Sequence, residues 1–390
     1  MKVLFLNHNQ EGFGTYFRCF FLGRGLSRQG VSVTMVCASG KKIDFFIRRR
    51  HIEKNFDIIT LPRIKYHKFF TGQVLRLFLT LPVVLLGNYD VLHAFTVAQP
   101  QIGIPALLAK WIRKKPLVVD WDDLWGGGFG LEHSLIIGKV FYFFERFVPR
   151  FADRITYVSE FLGQEIARLG LSDRAVKIPN GANIDDVKII AKNKAVKQLH
   201  LDSEYKYLVS VGNTYFAGGL RVLFRAMEHI VAKYPKVRLL MVGYTDILPE
   251  VESLYTKIKD VTTLTGTIPF SRVLLYMSAA DVLVLPMEDN PVEKARFPIR
   301  LGDYLASGKP IVSNACGEVK YILETYGCGL ISESNDYKAF VNNISKIFAD
   351  GTLASDLSKS ARQIGLHKLN WTNLVNKLNG MYKEIYYAKS

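Results

Sequence analysis

Residues 1–38 read MKVLFLNHNQEGFGTYFRCFFLGRGLSRQGVSVTMVCA. A short apolar run, Val3 to Asn7, is followed by a glycine-containing turn, Gln10-Glu11-Gly12-Phe13-Gly14. A helical pattern then runs from about Thr15 to Arg28 and stops near Gly30. Val31 to Ala38 is a second strand, rich in β-branched residues. Strand, turn, helix and strand in so few residues describe a βαβ unit, which places two parallel strands in one sheet.

The same rhythm continues outward from this unit. Asp57–Leu61, Val91–Phe95, Leu117–Val119 and Ala152–Ser159 read as further strands, with apolar helical segments near 71–86 and 101–113. A polar, lysine-rich stretch over 185–205 reads as an inter-domain linker. The rhythm then restarts with strands at Tyr207–Val211, Val237–Val242, Val261–Thr265, Val282–Pro286 and Pro310–Ser313. The expected fold is α/β: two tandem Rossmann-like, doubly wound domains facing across a cleft. The expected division is 1–184, a linker 185–205, 206–370, and a C-terminal helix 371–390 packing back on the first domain.

Composition narrows the class. The chain has 390 residues, 49% hydrophobic and 22% charged, which excludes disorder, collagen and coiled coil. The cysteines Cys19, Cys37, Cys316 and Cys328 show no CxxC spacing, so neither a disulfide framework nor a cysteine zinc site is expected. The start resembles a first strand rather than a signal peptide. The apolar stretch Leu77–Gly87 is too short to span a bilayer and is expected to be a buried helix.

The net charge is +16, and the first 190 residues carry +10 of it. Arg48-Arg49-Arg50, Arg63 to Lys68 and Arg113-Lys114-Lys115 lie close to Phe45, Phe46, Phe56, Phe69, Phe70 and Trp111. Mixed basic and aromatic residues suit an anionic membrane face, or simply a basic soluble surface. No nucleic-acid motif accompanies the charge, and no nucleic-acid partner is expected.

The chemistry concentrates in Glu288–Val312, EDNPVEKARFPIRLGDYLASGKPIV. Pro298 stands where a helix would start, Asp303 falls on its first turns and Gly308 ends it. An acidic side chain there can accept two ribose hydroxyls, and helix amides can hold a diphosphate. Arg296 and Arg300 could add charge-assisted bonds. The alternative is an amphipathic helix with a charged face. Gly12 and Gly14 suit a tight turn or an acceptor-side loop; they do not complete a dinucleotide fingerprint.

In this order and spacing the motifs resemble the family 4 glycosyltransferases, of GT-B fold. Asp90-Val91-Leu92-His93-Ala94, Ala152 to Ser159, Lys177-Ile178-Pro179-Asn180-Gly181, Gly266 with Pro269, Ala279-Ala280-Asp281, and Asp303 to Pro310 carry the resemblance across nearly the whole chain. It implies transfer of a sugar, of hexosyl type, from a nucleotide-diphosphate sugar to an acceptor hydroxyl. Retention, no metal and no further cofactor are implied with it. The second half would bind the nucleotide sugar and the first half a lipid-linked or glycan acceptor.

Such enzymes make cell-surface polysaccharide or glycolipid. The expected place is cytoplasmic, with peripheral contact at an anionic inner membrane face. A catalytically silent GT-B binding protein and a nucleotide-sugar epimerase share the same frame.

Within the resemblance, the family's ribose-contacting glutamate corresponds to Asp303, and its sugar-contacting glutamate to Ala295. Glu288, Asp289 and Glu293 are the candidates to replace the latter, with Glu293 the selected one. The family's usual Arg and Lys are absent from Gly212-Asn213-Thr214, so Arg221, Arg296 and Arg300 are expected to hold the diphosphate beside Gly212, Asn213 and Gly243. On the acceptor side, Asp122 and Asp123 are the catalytic candidates, or caps of the following segment. His93 is either a core histidine or a cleft residue.

Overall fold

The computed structural model describes residues 1–388 apart from 42, 65–69, 130–133, 213–216 and 244–246. The chain forms two compact units. The first comprises Met1–Asn180, Ala295–Phe297 and Trp371–Ser390; the second comprises Gly181–Lys294 and Pro298–Asn370.

The first unit runs β1 (Lys2–Gln10), α1 (Thr15–Arg28), β2 (Ser32–Ala38), β3 (Arg48–Glu53), β4 (Phe56–Leu61), α2 (Leu75–Leu86), β5 (Val91–Phe95) and α3 (Pro100–Trp111). It continues with β6 (Leu117–Trp121), α4 (Leu135–Phe147), β7 (Arg154–Tyr157), α5 (Glu160–Arg168) and β8 (Ala175–Lys177). Its sheet has the order β3-β4-β2-β1-β5-β6-β7-β8. Every pair is parallel except β3 on β4. Strands buried on both faces read as continuous apolar runs, as in Val91–Phe95 and Leu117–Trp121, where every residue is buried.

The second unit begins with α6 (Lys192–Gln198), then β9 (Lys206–Val211), α7 (Ala217–Lys233), β10 (Val237–Val242), α8 (Glu252–Ile258), β11 (Thr262–Leu264) and α9 (Phe270–Ala279). It continues with β12 (Val282–Leu285), α10 (Pro291–Ala295), α11 (Ile299–Ser307), β13 (Ile311–Ser313), α12 (Gly317–Thr325), β14 (Leu330–Ile331), α13 (Tyr337–Ala349) and α14 (Gly351–His367). All its strands are parallel, in the order β11-β10-β9-β12-β13-β14. Both sheets therefore reverse direction beside their first strand: at β1/β5 in one and at β9/β12 in the other. Ligands of doubly wound sheets bind at the carboxyl ends of the strands flanking that reversal.

The last helix, α15 (Trp371–Tyr387), packs into the first unit. Val375, Leu378, Met381 and Tyr382 join the core formed by Cys19, Leu22 and Leu26 of α1 and by Phe5 and Val33 of the sheet. The approach is close: a Cβ on Gly25 would lie 2.5 Å from Val375 Cγ2.

Two expectations are corrected here. The stretch 185–205 is not plain linker, because it carries α6, whose Ala195 and Val196 are buried. Lys192 of that helix ion-pairs with Asp281 at 2.7 Å. The apolar helix around 77–87 is not buried either. Only Thr80 and Val84 of α2 are inside, and Phe78 and Leu86 face solvent. The run Arg48-Arg49-Arg50, for which no element was expected, is an edge strand, with Arg49 held to Asp57 and Arg50 to Glu11. Charged side chains on an edge strand oppose pairing with another chain.

Candidate functional site

In the second unit the reversal point is built from bare backbone. β9 ends at Val211 and is followed by Gly212 at φ 92°; β10 ends at Val242 and is followed by Gly243 at φ 118°. Gly243 bridges to Gly266, which has φ 63°. Side-chain-bearing residues rarely adopt these angles. A Cβ on Gly243 would also press against Gly212, 3.3 Å from its N and Cα. The glycines thus let the chain turn tightly and leave backbone open to a ligand. Asn213 lies outside the described residues.

α11 supplies the side chains. Pro298 is its N-cap and Gly308 its left-handed C-cap at φ 62°. Arg300 donates from Nη1 to Val211 O at 3.2 Å, which lays its guanidinium against Gly212. Tyr304 Oη accepts from Val211 N at 2.8 Å and donates to Val284 O at 3.2 Å, tying the two strands that flank the reversal. Asp303 is half-buried, and burial, followed by the Asp186 carboxylate, pushes its carboxyl up to about 7. Arg221 is half-buried at the fifth position of α7.

Of the acidic candidates nearby, Glu288 sits on the start of α7. Its Oε2 accepts from Gly218 N at 2.9 Å, and a Cβ on Gly218 would fall 2.6 Å from Glu288 Cδ. Asp289 is tied to Lys294 at 2.5 Å. Glu293 is 2% exposed within α10, its amide capped by Asn290 Oδ1 at 2.8 Å. The segment that carries Glu293 is a short helix, α10, and of the three candidates Glu293 is the buried one.

Arg296 groups differently from its expected partners. Ala295–Phe297 belongs to the first unit. Ser159 Oγ donates to Ala295 O at 2.5 Å and Asn180 Nδ2 donates to Phe297 O at 2.7 Å, so the backbone on either side of Arg296 is held there. Arg300 and Asp303 remain in the second unit.

In the first unit the corresponding region is built from side chains. Asp122, 6% exposed, follows β6. Its Oδ2 accepts from Thr15 Oγ1 at 2.6 Å and its Oδ1 from Thr96 Oγ1 at 2.8 Å. Thr15 is the first residue of α1, after Gly12 at φ 81° and Gly14 at φ 52°, so the glycine turn delivers the hydroxyl to the carboxylate. Thr96 itself has φ 58°, a strained angle for a β-branched residue. Such strain survives where the surroundings over-determine it, most often at functional positions. Burial, and then the neighbouring Asp120, push Asp122 up to about 6.

Asp120 is a structural acid. Arg18, fully buried, grips it with Nε at 2.9 Å and Nη2 at 2.7 Å. Arg18 also donates to the carbonyls of Ile178 and Pro179 and to Asn180 Oδ1. His93 is a core histidine rather than a binding residue. It is 0% exposed, stacks on Phe95 at 4.2 Å, and its ring nitrogens meet Tyr382 Oη at 2.5 Å and Thr156 Oγ1 at 3.2 Å. Its placement on the acceptor side is therefore corrected. Burial drives its pKa down to about 3 and keeps it neutral.

Asp123 lines a small cavity with Thr96, Ala98, Trp121 and Glu145. Glu145 of α4 is 2% exposed and accepts from the amides of Trp125 at 2.8 Å and Gly126 at 2.9 Å. Burial raises it to about 7 against those two bonds. It fixes the glycine-rich turn that follows Asp123. Arg18 and Glu145 were not among the expected residues, although each breaks an apolar stretch (TYFRCFF and VFYFFERF) in a way that signals a paired buried charge. Among the described residues, no group of three or more His, Cys, Asp or Glu is arranged to hold a metal ion.

The geometry agrees with comparisons to known proteins. The family description "Glycosyl transferase 4-like domain" matches residues 16–181, and "Glycosyl transferases group 1" matches 191–364. The chain is 24% identical over 220 residues to a putative teichuronic acid biosynthesis glycosyltransferase, TuaH, of Bacillus subtilis, covering 54% of this chain and 53% of that one. An uncharacterized glycosyltransferase of Haemophilus influenzae is 24% identical over 45% of this chain and 47% of its own. The chain thus spans about half the length of these curated relatives.

Among solved structures, sucrose-phosphate synthase from Thermosynechococcus elongatus superposes with TM-score 0.79 at 19% identity, covering 99% of each chain. Anabaena HepE in complex with UDP and glucose superposes with TM-score 0.72 at 16% identity, covering 98% of this chain and 99% of that one. WaaG, a glycosyltransferase involved in lipopolysaccharide biosynthesis, gives 0.71 at 16% identity over 96% and 98%. With both family descriptions in sequence order, on two α/β units with parallel sheets, the chain belongs to the GT-B glycosyltransferases of the group 1, family 4-like kind.

Proposed function

We propose that the protein transfers a sugar from a nucleoside-diphosphate sugar to an acceptor hydroxyl, with retention and without a metal, in the synthesis of a cell-surface polysaccharide or glycolipid. The observation that carries the reading is the glycine-lined reversal point of the second unit. Gly212 and Gly243 hold positive φ at adjacent strand ends, and Arg300 lies against the first of them. Open backbone with a fixed cation suits a diphosphate. Holding the departing diphosphate with groups already in place needs no reorganisation during reaction. Asp303 suits the ribose hydroxyls once ionised. The UDP and glucose held by Anabaena HepE and the putative part of TuaH in teichuronic acid biosynthesis support the same assignment.

On the acceptor side Asp122 carries the reading. In its ionised form it can take a proton from the acceptor hydroxyl or stabilise developing positive charge on the sugar. Asp123 is the neighbouring alternative, at the small cavity.

The proposed place of work is an anionic membrane surface. Phe45, Phe46 and Ile47 are 64%, 65% and 55% exposed, beside Arg48, Arg49 and Arg50. The loop is pinned from below: buried Asp44 accepts from Ser39 Oγ at 2.7 Å and from Phe46 N at 3.2 Å. Its apolar side chains are therefore presented outward by design of the backbone. No helix among the described residues is long and apolar enough to cross a membrane.

The test is a thermal-shift panel with UDP, GDP, ADP, CMP and NAD, with and without magnesium. A bound ligand at 100 times its Kd stabilises by about 2.7 kcal/mol. A shift with one nucleoside diphosphate, unaffected by magnesium, is expected; no shift with any sinks the donor assignment. For the membrane, flotation with anionic vesicles should be lost on changing Phe45, Phe46 and Ile47 together to serine.

A further inference from the structure

The first unit holds polar groups that the transfer chemistry above does not use. Asn7 and His8 lie toward the carboxyl end of β1, beside the reversal to β5, and each is 4% exposed. Among the described residues, Asn7 Nδ2 and both ring nitrogens of His8 have no hydrogen-bond partner; nor has Oε1 of Gln101, which is 2% exposed at the start of α3. Buried polar atoms are almost always paired, because a dry donor or acceptor is costly. Four of them at one end of one sheet point to a polar ligand.

Arg76 of α2 lies over this end of the sheet. It donates from Nη1 to His8 O at 2.7 Å and from Nε to Gly72 O at 3.2 Å. Among the described residues no carboxylate is within ion-pair distance of it. Other arginines of this quarter have one: Arg48 has Asp44, Arg49 has Asp57, Arg50 has Glu11, and Arg24 and Arg28 share Glu53. The one side-chain bond of Arg63 among the described residues is likewise to a carbonyl, Lys41 O at 3.5 Å. Burial, and then the charge of Arg63, lower Arg76 to about 10, so the two guanidiniums work against each other. An anion between them removes that conflict.

Asn7, Arg76, Thr80 and Gln101 further share the wall of a cavity of about 10 Å³, the room of a single oxygen atom.

We propose that Arg76, with Arg63, Asn7 and His8, forms an acceptor subsite that recognises an anionic group, a phosphate or a carboxylate, carried by the acceptor. The guanidiniums hold the charge in the forked geometry that suits both groups. Asn7 Nδ2 and one N–H of neutral His8 donate to its remaining oxygens, and Gln101 Oε1 accepts from a neighbouring hydroxyl. The word acceptor rests on the transferase reading; the binding of the anion does not.

The test titrates the full chain with inorganic phosphate, glucuronate and glucose by calorimetry, with UDP present to occupy the donor side. One anion or both should bind and glucose should not. Phosphate alone identifies a phosphorylated acceptor; glucuronate alone identifies a uronic one. R76Q should weaken the anion about tenfold, the loss of a charge-assisted bond, while R76K keeps most of the affinity. R63Q gives a second reading should R76Q fail to fold. Glucose binding as well as the anions, or anion affinity untouched by both R76Q and R63Q, overturns the subsite. Anion binding that survives while none of UDP, GDP and ADP binds strikes the transferase reading and leaves the subsite standing.

Discussion

The two sheets wind alike about a central first strand, yet their reversal points are furnished in opposite ways. At β9/β12 the lining is glycine and main chain, with a few side chains from α11 laid across it. At β1/β5 it is buried side chains: Asp120, Asp122, Arg18, Asn7 and His8. On the proposed function, main chain suits a constant partner, since every nucleoside diphosphate presents the same phosphates. Side chains suit a variable partner, and the acceptor is what differs from one transferase to the next. The two regions should therefore break under different substitutions.

The largest effect is expected at Arg18. Arg18→Met strands Asp120 in the core without a countercharge, which costs about 3–5 kcal/mol. Urea unfolding of the first unit measures it, and a loss under 1 kcal/mol would remove this pair from the frame.

Next is Asp122→Asn, which keeps shape and removes charge. The turnover number should fall about a hundredfold, or about 2.7 kcal/mol, with little change in KM. In the parent chain Asp122 is pushed up to about 6, so the ionised form that the proposed role needs disappears as pH falls through 6. The rate profile should show an acid limb there, and the variant should lose it.

Glu145 tests the same unit through stability. The folded chain keeps its proton up to about 7, whereas the ordinary value is 4.5. Between those values the unfolded chain has released the proton and the folded chain has not. Stability must therefore fall as pH rises across that window and is fully present below it. Glu145→Gln abolishes the fall, so the variant should gain on the parent by on the order of 2 kcal/mol between pH 4 and 8. A pH-independent difference in melting would contradict the burial-driven shift.

The smallest change addresses the other unit. Gly243→Ala adds one methyl at φ 118°, against Gly212. Affinity for the nucleoside diphosphate that shifts the parent should drop about tenfold, or about 1.4 kcal/mol. The same methyl, were it harmless, would mean that the phosphates lie elsewhere.

The fold was legible because strands buried on both faces announce themselves. Val91–Phe95 and Val237–Val242 match their expected limits, and Gly30 and Gly308 end helices as read. What was missed was short or disguised. β3 hides in the string RRRHIE, whose arginines find acids on other elements. β8 and β14 are 3 and 2 residues long, below any periodic signal.

The candidate site was less legible, since side-chain direction is a tertiary property. Nothing local distinguishes His93, which turns into the core, from Asp122, which meets two hydroxyls from other elements. Asn7 and His8 read as the tail of a strand; only the packing around them leaves their polar atoms dry.

The return of α15 to the first unit has a consequence for how the chain is made. Residues 1–180 leave the ribosome well before Trp371–Tyr387, which closes the face of α1. The second unit, contiguous but for three residues, holds its own core and can finish first. The first must wait, with Cys19, Leu22 and Leu26 uncovered, until Trp371–Tyr387 has emerged. A nascent chain stalled before residue 371 should accordingly be a client of chaperones that bind apolar surface, and release should follow the emergence of the seventeen-residue helix α15 rather than the end of the first sheet.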